Sequence, residues 1–155
     1  MAASQGRGPV TRRVPSWVRW LAVAAWTCFV WSRSLFPGPA SSAQSNVVAE
    51  LLRPMFEALG IHEFSMCTFI VRKAAHFLEY LVLGALLALT KEKGAKPVWP
   101  RALLGVSVPC VDETIQLFVP GRSGQLSDVM LDCLGVACGA ALVTGIRSVL
   151  PRCRR

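Results

Sequence analysis

Charged residues are scarce in this chain, at 17% of the sequence, where a soluble domain carries about 25%. Hydrophobic residues reach 53% and mean hydropathy is +0.45. There are too few polar side chains to coat a water-facing surface, which excludes a disordered chain, a coiled coil and most soluble enzymes. Metal-binding punctuation is missing too. The six cysteines, Cys28, Cys67, Cys110, Cys133, Cys138 and Cys153, show neither CxxC nor CxxH spacing. Four of them fall in apolar runs, where a thiol packs as a small hydrophobe, so neither a disulfide framework nor a metal site is expected. The chain has no internal repeat, no low-complexity tract and no second domain. It also lacks a DDxxD-like run, a His-rich box and a nucleophile obviously paired with a base. What remains is an integral membrane protein, limited to a handful of spans by its 155 residues.

Four apolar runs follow one another. Trp17 to Phe36 is too long for the hydrophobic region of a signal peptide, carries Trp near its start and at position 31, and ends at Pro37-Gly38-Pro39 without an A-x-A site; it reads as a retained anchor. Ala74 to Thr90 is at the short end of the spanning range. Ala102 to Val119 contains Asp112, Glu113 and Gln116, and Val129 to Leu150 contains Asp132. The expected fold is all-α, a four-helix transmembrane bundle in which every backbone group is satisfied internally. A basic tail over 1–16 and a basic end over 151–155 flank a single domain over 17–150.

The +8 formal charge reports topology. Twelve of the 17 basic residues fall on one side: Arg7, Arg12, Arg13, Arg19, Lys91, Lys93, Lys96, Arg101, Arg147, Arg152, Arg154 and Arg155. The other side holds Arg33, Arg53, Arg72, Lys73 and Arg122. Positively charged loops stay in the cytoplasm, so both termini are expected there in a multi-pass protein of the cell membrane. Attraction to anionic lipid is expected, and a nucleic-acid partner is not. In the outer loop, Val47, Val48, Leu51, Leu52, Met55, Phe56 and Leu59 recur at helical spacing. They predict a short amphipathic helix capped by Ser45 or Asn46, kinked or interrupted by Pro54 and stopped by Gly60. It either lies on the outer membrane surface or packs over the bundle mouth.

Ionisable side chains within spans are costly and face the bundle interior or a wet cavity. On the second run Arg72, His76, Glu79 and Tyr80 share one helical face. On the third, Asp112 and Glu113 reach Gln116; on the fourth, Asp128, Asp132, Gly135 and Gly139 form one stripe. At about 1.5 Å per residue, Glu79, Glu113 and Asp132 lie roughly 10, 9 and 8 Å below the outer surface. The sequence thus predicts one carboxylate layer beneath Arg72, Lys73 and Arg122, with plain apolar inner halves. Arg72, His76 and Arg122 are the available counter-charges if the layer only fixes register. Pro109 frees the carbonyl of Gly105, and Gly135-x-x-x-Gly139 predicts a close helix contact.

These residues carry a family resemblance. Arg72-Lys73-Ala74-Ala75-His76-Phe77-Leu78-Glu79-Tyr80 with Leu83-Gly84 resembles the RKxxHFxEYxxLG signature of the VanZ-like family. Asp112-Glu113 through Gln116 and Phe118 to Pro120-Gly121-Arg122 resembles its DExxQxFxPGR segment. Asp128, Asp132 and Gly135 match its DxxxNxxG pattern, with Asp where Asn is commoner. The three motifs in order cover roughly residues 17 to 150. The family's Ser-rich stretch is loosely matched by Ser32, Ser34, Ser41, Ser42 and Ser45, and no role is carried onto them. The resemblance implies a cell-envelope role in a family named for low-level teicoplanin resistance, and supplies no reaction.

The residues favour a non-enzymatic envelope protein that binds a membrane lipid or a lipid-linked cell-wall intermediate in the outer leaflet. Arg72, Lys73 and Arg122 would meet its phosphate or carboxylate, over a site completed by His76, Glu79, Tyr80, Asp112, Glu113, Gln116, Asp128 and Asp132. No cofactor and no metal is expected on that reading. The alternatives are an intramembrane enzyme and a small transporter. The enzyme would use His76 with Glu79 or Asp112 for acid–base chemistry, or Glu79, Glu113 and Asp132 around a divalent cation. The transporter is weakened by the apolar inner halves.

Overall fold

The computed structural model describes residues 14–91 and 98–149. The expectations for the basic tail and end, for Lys93 and Lys96, and for Cys153 lie outside these residues. Among the described residues the chain is all-helical, with α1 over Ser16–Ser34, α2 over Gly38–Leu51 and α3 over Arg53–Ala58. Then come α4 over Phe64–Leu89, α5 over Trp99–Leu117 and α6 over Leu126–Val149.

The segment between α1 and α4 holds two helices rather than one. Pro39 suits the first turn of α2, whose chain enters through Pro37, so the helix starts well before Ser45. Ser45 is not a cap; its Oγ donates to the Ser41 carbonyl within the helix. Pro54 cannot continue α2, because its ring would meet the carbonyl four residues back. It sits instead in the first turn of α3, which ends before Gly60 at φ +78°. The pair lies on an extension of α4, which begins ten residues before Ala74. Ala49, Phe56 and Cys67 form a small core there, with Leu52, Ile61, Ile70 and Val71 around it.

The four long helices alternate in direction. Arg19 of α1 donates to the Leu89 carbonyl at the end of α4 at 3.3 Å. Arg101 of α5 donates to Thr90 Oγ1 at 3.1 Å, and Arg147 of α6 to the Ala88 carbonyl at 3.1 Å. Cations from three helices therefore gather on the negative end of α4. The main core joins Val23 and Val30 of α1, Tyr80, Leu83 and Leu87 of α4, and Val108 of α5. Trp26 Nε1 donates to the Glu79 carbonyl at 2.9 Å, which fastens α1 to α4.

The closest pairing is α4 with α6. A methyl group at Gly139 would collide with the Leu81 carbonyl, and one at Gly84 with the Val136 carbonyl. Gly135 meets the Phe77 carbonyl in the same way. The glycine stripe is thus a packing face in which two backbones touch.

Polarity is inverted. Asp112, Gln116 and Asp132 are 0% exposed, while Trp17, Leu78, Leu103, Met130 and Leu142 are each more than half exposed. By length and hydropathy α6 alone qualifies as a span among the described residues. In α4 and α5 the polar residues fall inside the helices themselves.

Candidate functional site

The bundle end opposite the arginine-capped terminus of α4 carries the polar residues. One helical turn separates Asp112 from Gln116 and Asp128 from Asp132, so α5 and α6 each present a polar stripe to α4, where His76 and Tyr80 repeat that spacing. One donor or acceptor atom from each of His76, Asp112, Glu113 and Asp132 lies within 4.8 Å of all the others. Residues from 76 to 132 in the sequence thus meet in one knot at the junction of three helices. Gln116 holds it from the side. Its Nε2 donates to Glu113 Oε1 at 3.1 Å and to Asp112 Oδ2 at 3.4 Å, and lies 3.5 Å from Ser34 Oγ. Glu113 Oε2 accepts from the backbone N–H of Gln125 at 2.9 Å.

Other polar atoms in the knot have no partner. Asp132 Oδ1 and Oδ2, Asp112 Oδ1, Gln116 Oε1, His76 Nδ1 and the Tyr80 hydroxyl are buried without a hydrogen bond. His76 Nδ1 is 3.8 Å from Asp132 Oδ2, too far for one. Tyr80 is itself fully buried.

The remaining predicted site residues divide. Glu79 leaves the layer for Arg33 of α1, with Nε 3.4 Å from its Oε1. Lys73 pairs with Asp128 and lies over the Phe69 ring at 5.2 Å. Among the described residues neither Arg72 nor Arg122 makes an ion pair with the knot, although Asp112 and Glu113 attract the Arg122 charge from a distance. Arg122 instead donates from Nε to the Phe36 carbonyl at 2.9 Å and from Nη2 to the Arg33 carbonyl at 3.3 Å. Among the described residues Arg72 makes no ion pair.

Arg33, Arg72 and Arg122 surround a polar pocket of about 30 Å³ that is also lined by Ser34, Ser41, Ser45, His76 and Glu79. That volume holds about one water molecule or one ligand oxygen. Half-burial pulls the Arg122 guanidinium below its ordinary value, and repulsion from Arg72 and then Arg33 adds to the shift. An anion in the pocket relieves that repulsion.

Sequence reasoning missed Arg33 and the serines. Arg33 counted there only as an outer charge. Its signal was a cation three residues before the end of the first apolar run, which closes at Phe36. The serines gave no helical period shared with the acidic stripes, because they straddle the break between α1 and α2.

The turn after α5 completes this end. Gly121, at φ +73°, stacks on Gly38, and the Gly38 N–H donates to the Pro120 carbonyl at 3.0 Å. A side chain at Gly38 would collide with the Gly121 carbonyl. Two Pro-Gly turns thus interlock and fix Arg122 over the end of α1. At the other end an apolar groove of about 360 Å³ runs between α4, α5 and α6, with Leu87, Val106 and Val136 on its walls and Lys91 and Arg101 at its rim.

A family model described as VanZ/LLP1 matches residues 19–147, which takes in all three sequence motifs and every helix that contributes to the knot and the pocket. No curated protein and no solved structure matches the chain.

Proposed function

The chain belongs to the VanZ/LLP1 family, and on that premise we propose that it is a multi-pass membrane protein whose outer polar end binds the anionic headgroup of a lipid-linked or amphiphilic molecule. The observation that carries this reading is the set of three arginines, Arg33, Arg72 and Arg122, around one small polar pocket. Guanidinium groups suit phosphate and carboxylate oxygens because their fork of N–H donors matches them two at a time. Arg33 is paired with Glu79 and Arg122 spends N–H donors on two backbone carbonyls, which leaves Arg72 as the group with neither an ion pair nor a clamp role among the described residues.

Four membrane spans, α1, α4, α5 and α6, fit the inverted polarity. Their exposed faces carry Leu21, Phe29, Leu78, Leu103, Val111, Leu134 and Leu142, a surface that water does not tolerate and lipid does. The positive-inside rule places the arginine cluster at the end of α4 in the cytoplasm, together with both termini. The polar pocket then opens toward the outer leaflet. The groove at the inner end is apolar, which supports accommodation of lipid chains over transport of a polar solute. Sequestering a lipid-linked cell-wall intermediate there is the route by which such a protein would lower susceptibility to a glycopeptide.

The test is native mass spectrometry of the purified chain in a gentle detergent, with undecaprenyl phosphate against uncharged undecaprenol. Wild type is expected to retain the phosphate lipid and to lose it about tenfold in Arg72→Gln, with unchanged thermal stability. Equal retention of both lipids, or full retention by Arg72→Gln, overturns the reading. In a sensitive host, teicoplanin protection is expected to fall with Arg72→Gln at constant membrane abundance.

A further inference from the structure

We infer that His76, Asp112, Glu113 and Asp132 form a binding site for one divalent transition-metal ion, Mn²⁺ or Zn²⁺, at the junction of α4, α5 and α6. The spacing of these residues in the sequence gives no metal motif; Glu113 and Asp132 were cation candidates there beside Glu79, and the fold replaces Glu79 by His76 and Asp112. Four donor atoms lie within 4.8 Å of one another. Ligands bound at about 2.0–2.2 Å sit roughly 3 to 4.4 Å apart around a single ion, so a few tenths of an ångström of adjustment brings these donors onto one centre. The 3.8 Å between His76 Nδ1 and Asp132 Oδ2 is too long for a hydrogen bond and suits two ligands of the same ion.

A second, independent observation points to a ligand. Asp112, Gln116 and Asp132 are 0% exposed, yet Asp112 Oδ1, Gln116 Oε1 and both Asp132 oxygens lack a hydrogen bond, as does His76 Nδ1. Leaving such atoms buried and unpaired is expensive. The carboxylate and amide oxygens are acceptors, and ligand atoms of His76, Asp112, Glu113 and Asp132 come together from three helices, as a cation requires. Gln116 and the Gln125 backbone N–H already orient the Glu113 carboxylate, in the manner of groups that hold a metal ligand in place. The imidazole selects against Mg²⁺ and Ca²⁺, which take oxygen ligands, and the three carboxylates select against a thiolate-type site. His76 lines the polar pocket as well, so the ion and the pocket share a wall.

The inference does not depend on the anionic-ligand reading, because its test adds no lipid. Full-length protein in detergent is stripped with EDTA and offered Mn²⁺, Zn²⁺, Mg²⁺ or Ca²⁺. After removal of excess ion, bound metal is measured by elemental mass spectrometry and stability by thermal unfolding. Wild type is expected to hold about one Mn²⁺ or Zn²⁺ per chain and to melt about 5–10 °C higher when loaded. Asp132→Asn and His76→Gln are expected to lose at least tenfold in affinity, while Glu57→Gln, on α3, binds as wild type. Wild type that takes up no ion and gains no stability overturns the inference. So does binding of Mg²⁺ or Ca²⁺ alone, full uptake by Asp132→Asn and His76→Gln, or loss in Glu57→Gln. Because uptake and melting are read first on wild type, a variant that fails to fold leaves the test decisive.

Discussion

Arg122 reaches from the turn after α5 to the carbonyl of Phe36, Nε to O at 2.9 Å, and so closes the chain just past α1. Its second bond, to the Arg33 carbonyl, makes the same guanidinium a clamp between two loops. The sequence argument treated this residue as a free charge at the headgroup level. The structure gives it backbone partners, so its removal acts on stability.

Arg122→Gln is expected to cost about 1–2 kcal/mol, because two charge-assisted bonds at a half-buried site are lost. For a chain of this size that is a fall in melting temperature of roughly 2–8 °C. Arg122→Lys is expected to recover less than half, since an ammonium does not span both carbonyls. Differential scanning of the detergent-solubilised variants reads the outcome. Melting at the wild-type temperature would remove the clamp.

The seam between α4 and α6 gives a sharper contrast. Gly139→Ala drives a methyl group into the Leu81 carbonyl, where neither backbone yields. The expected cost is about 3 kcal/mol, or roughly 6–12 °C. Gly145 has open space on the same helix, and Gly145→Ala is expected to leave melting unchanged or slightly raised. Equal effects at both positions would mean that the helices stand further apart.

Lys73 and Asp128 bring α4 and α6 together at the end of the bundle that holds the polar knot, with side chains 22% and 10% exposed. A double-mutant cycle of Lys73→Met and Asp128→Asn is expected to show a coupling of about 1–2 kcal/mol, above the usual surface pair because water is largely excluded. A coupling under about 0.3 kcal/mol would reduce the pair to a surface contact.

Topology is testable by thiol labelling, but not at Cys67, which is only 2% exposed beneath α2 and α3. A cysteine at Glu57, on the exposed face of α3, is expected to react with an impermeant maleimide in intact cells, and one at Lys91 only after permeabilisation. Cys67 itself is expected to react only after unfolding. Labelling of Lys91→Cys from outside would invert the orientation.

Much of the architecture was legible. Four apolar runs fall on α1, α4, α5 and α6, with every end within a few residues except the start of α4, because apolar stripes dominate long helices. Gly60 and Pro54 gave their breaks for backbone reasons that no packing overrides. The early start of α4 was not legible: Phe64 to Val71 is apolar enough to continue the helix, but the sequence does not say that α2 and α3 cover it. At the site, the helical rise placed Glu79, Glu113 and Asp132 at one depth, and the structure gathers Glu113 and Asp132 with His76 and Asp112 instead. The rise did not reveal that Glu79, two residues past Phe77 on a neighbouring face, turns to Arg33. Pairing between helices depends on rotation about each axis, and a charge count carries no such angle.

Because the polar knot is assembled from three helices, it does not exist while the chain is being made. On the four-span reading, α5 enters the bilayer with Asp112 and Glu113 before α6 has left the ribosome. Those carboxylates gain Asp132 as a neighbour, and the glycine seam closes, only when the last span arrives. The insertion machinery must therefore shelter α4 and α5 side by side until synthesis is nearly complete. On that reading a chain arrested before Leu126 would carry Asp112 and Glu113 into lipid without the α6 stripe that buries them.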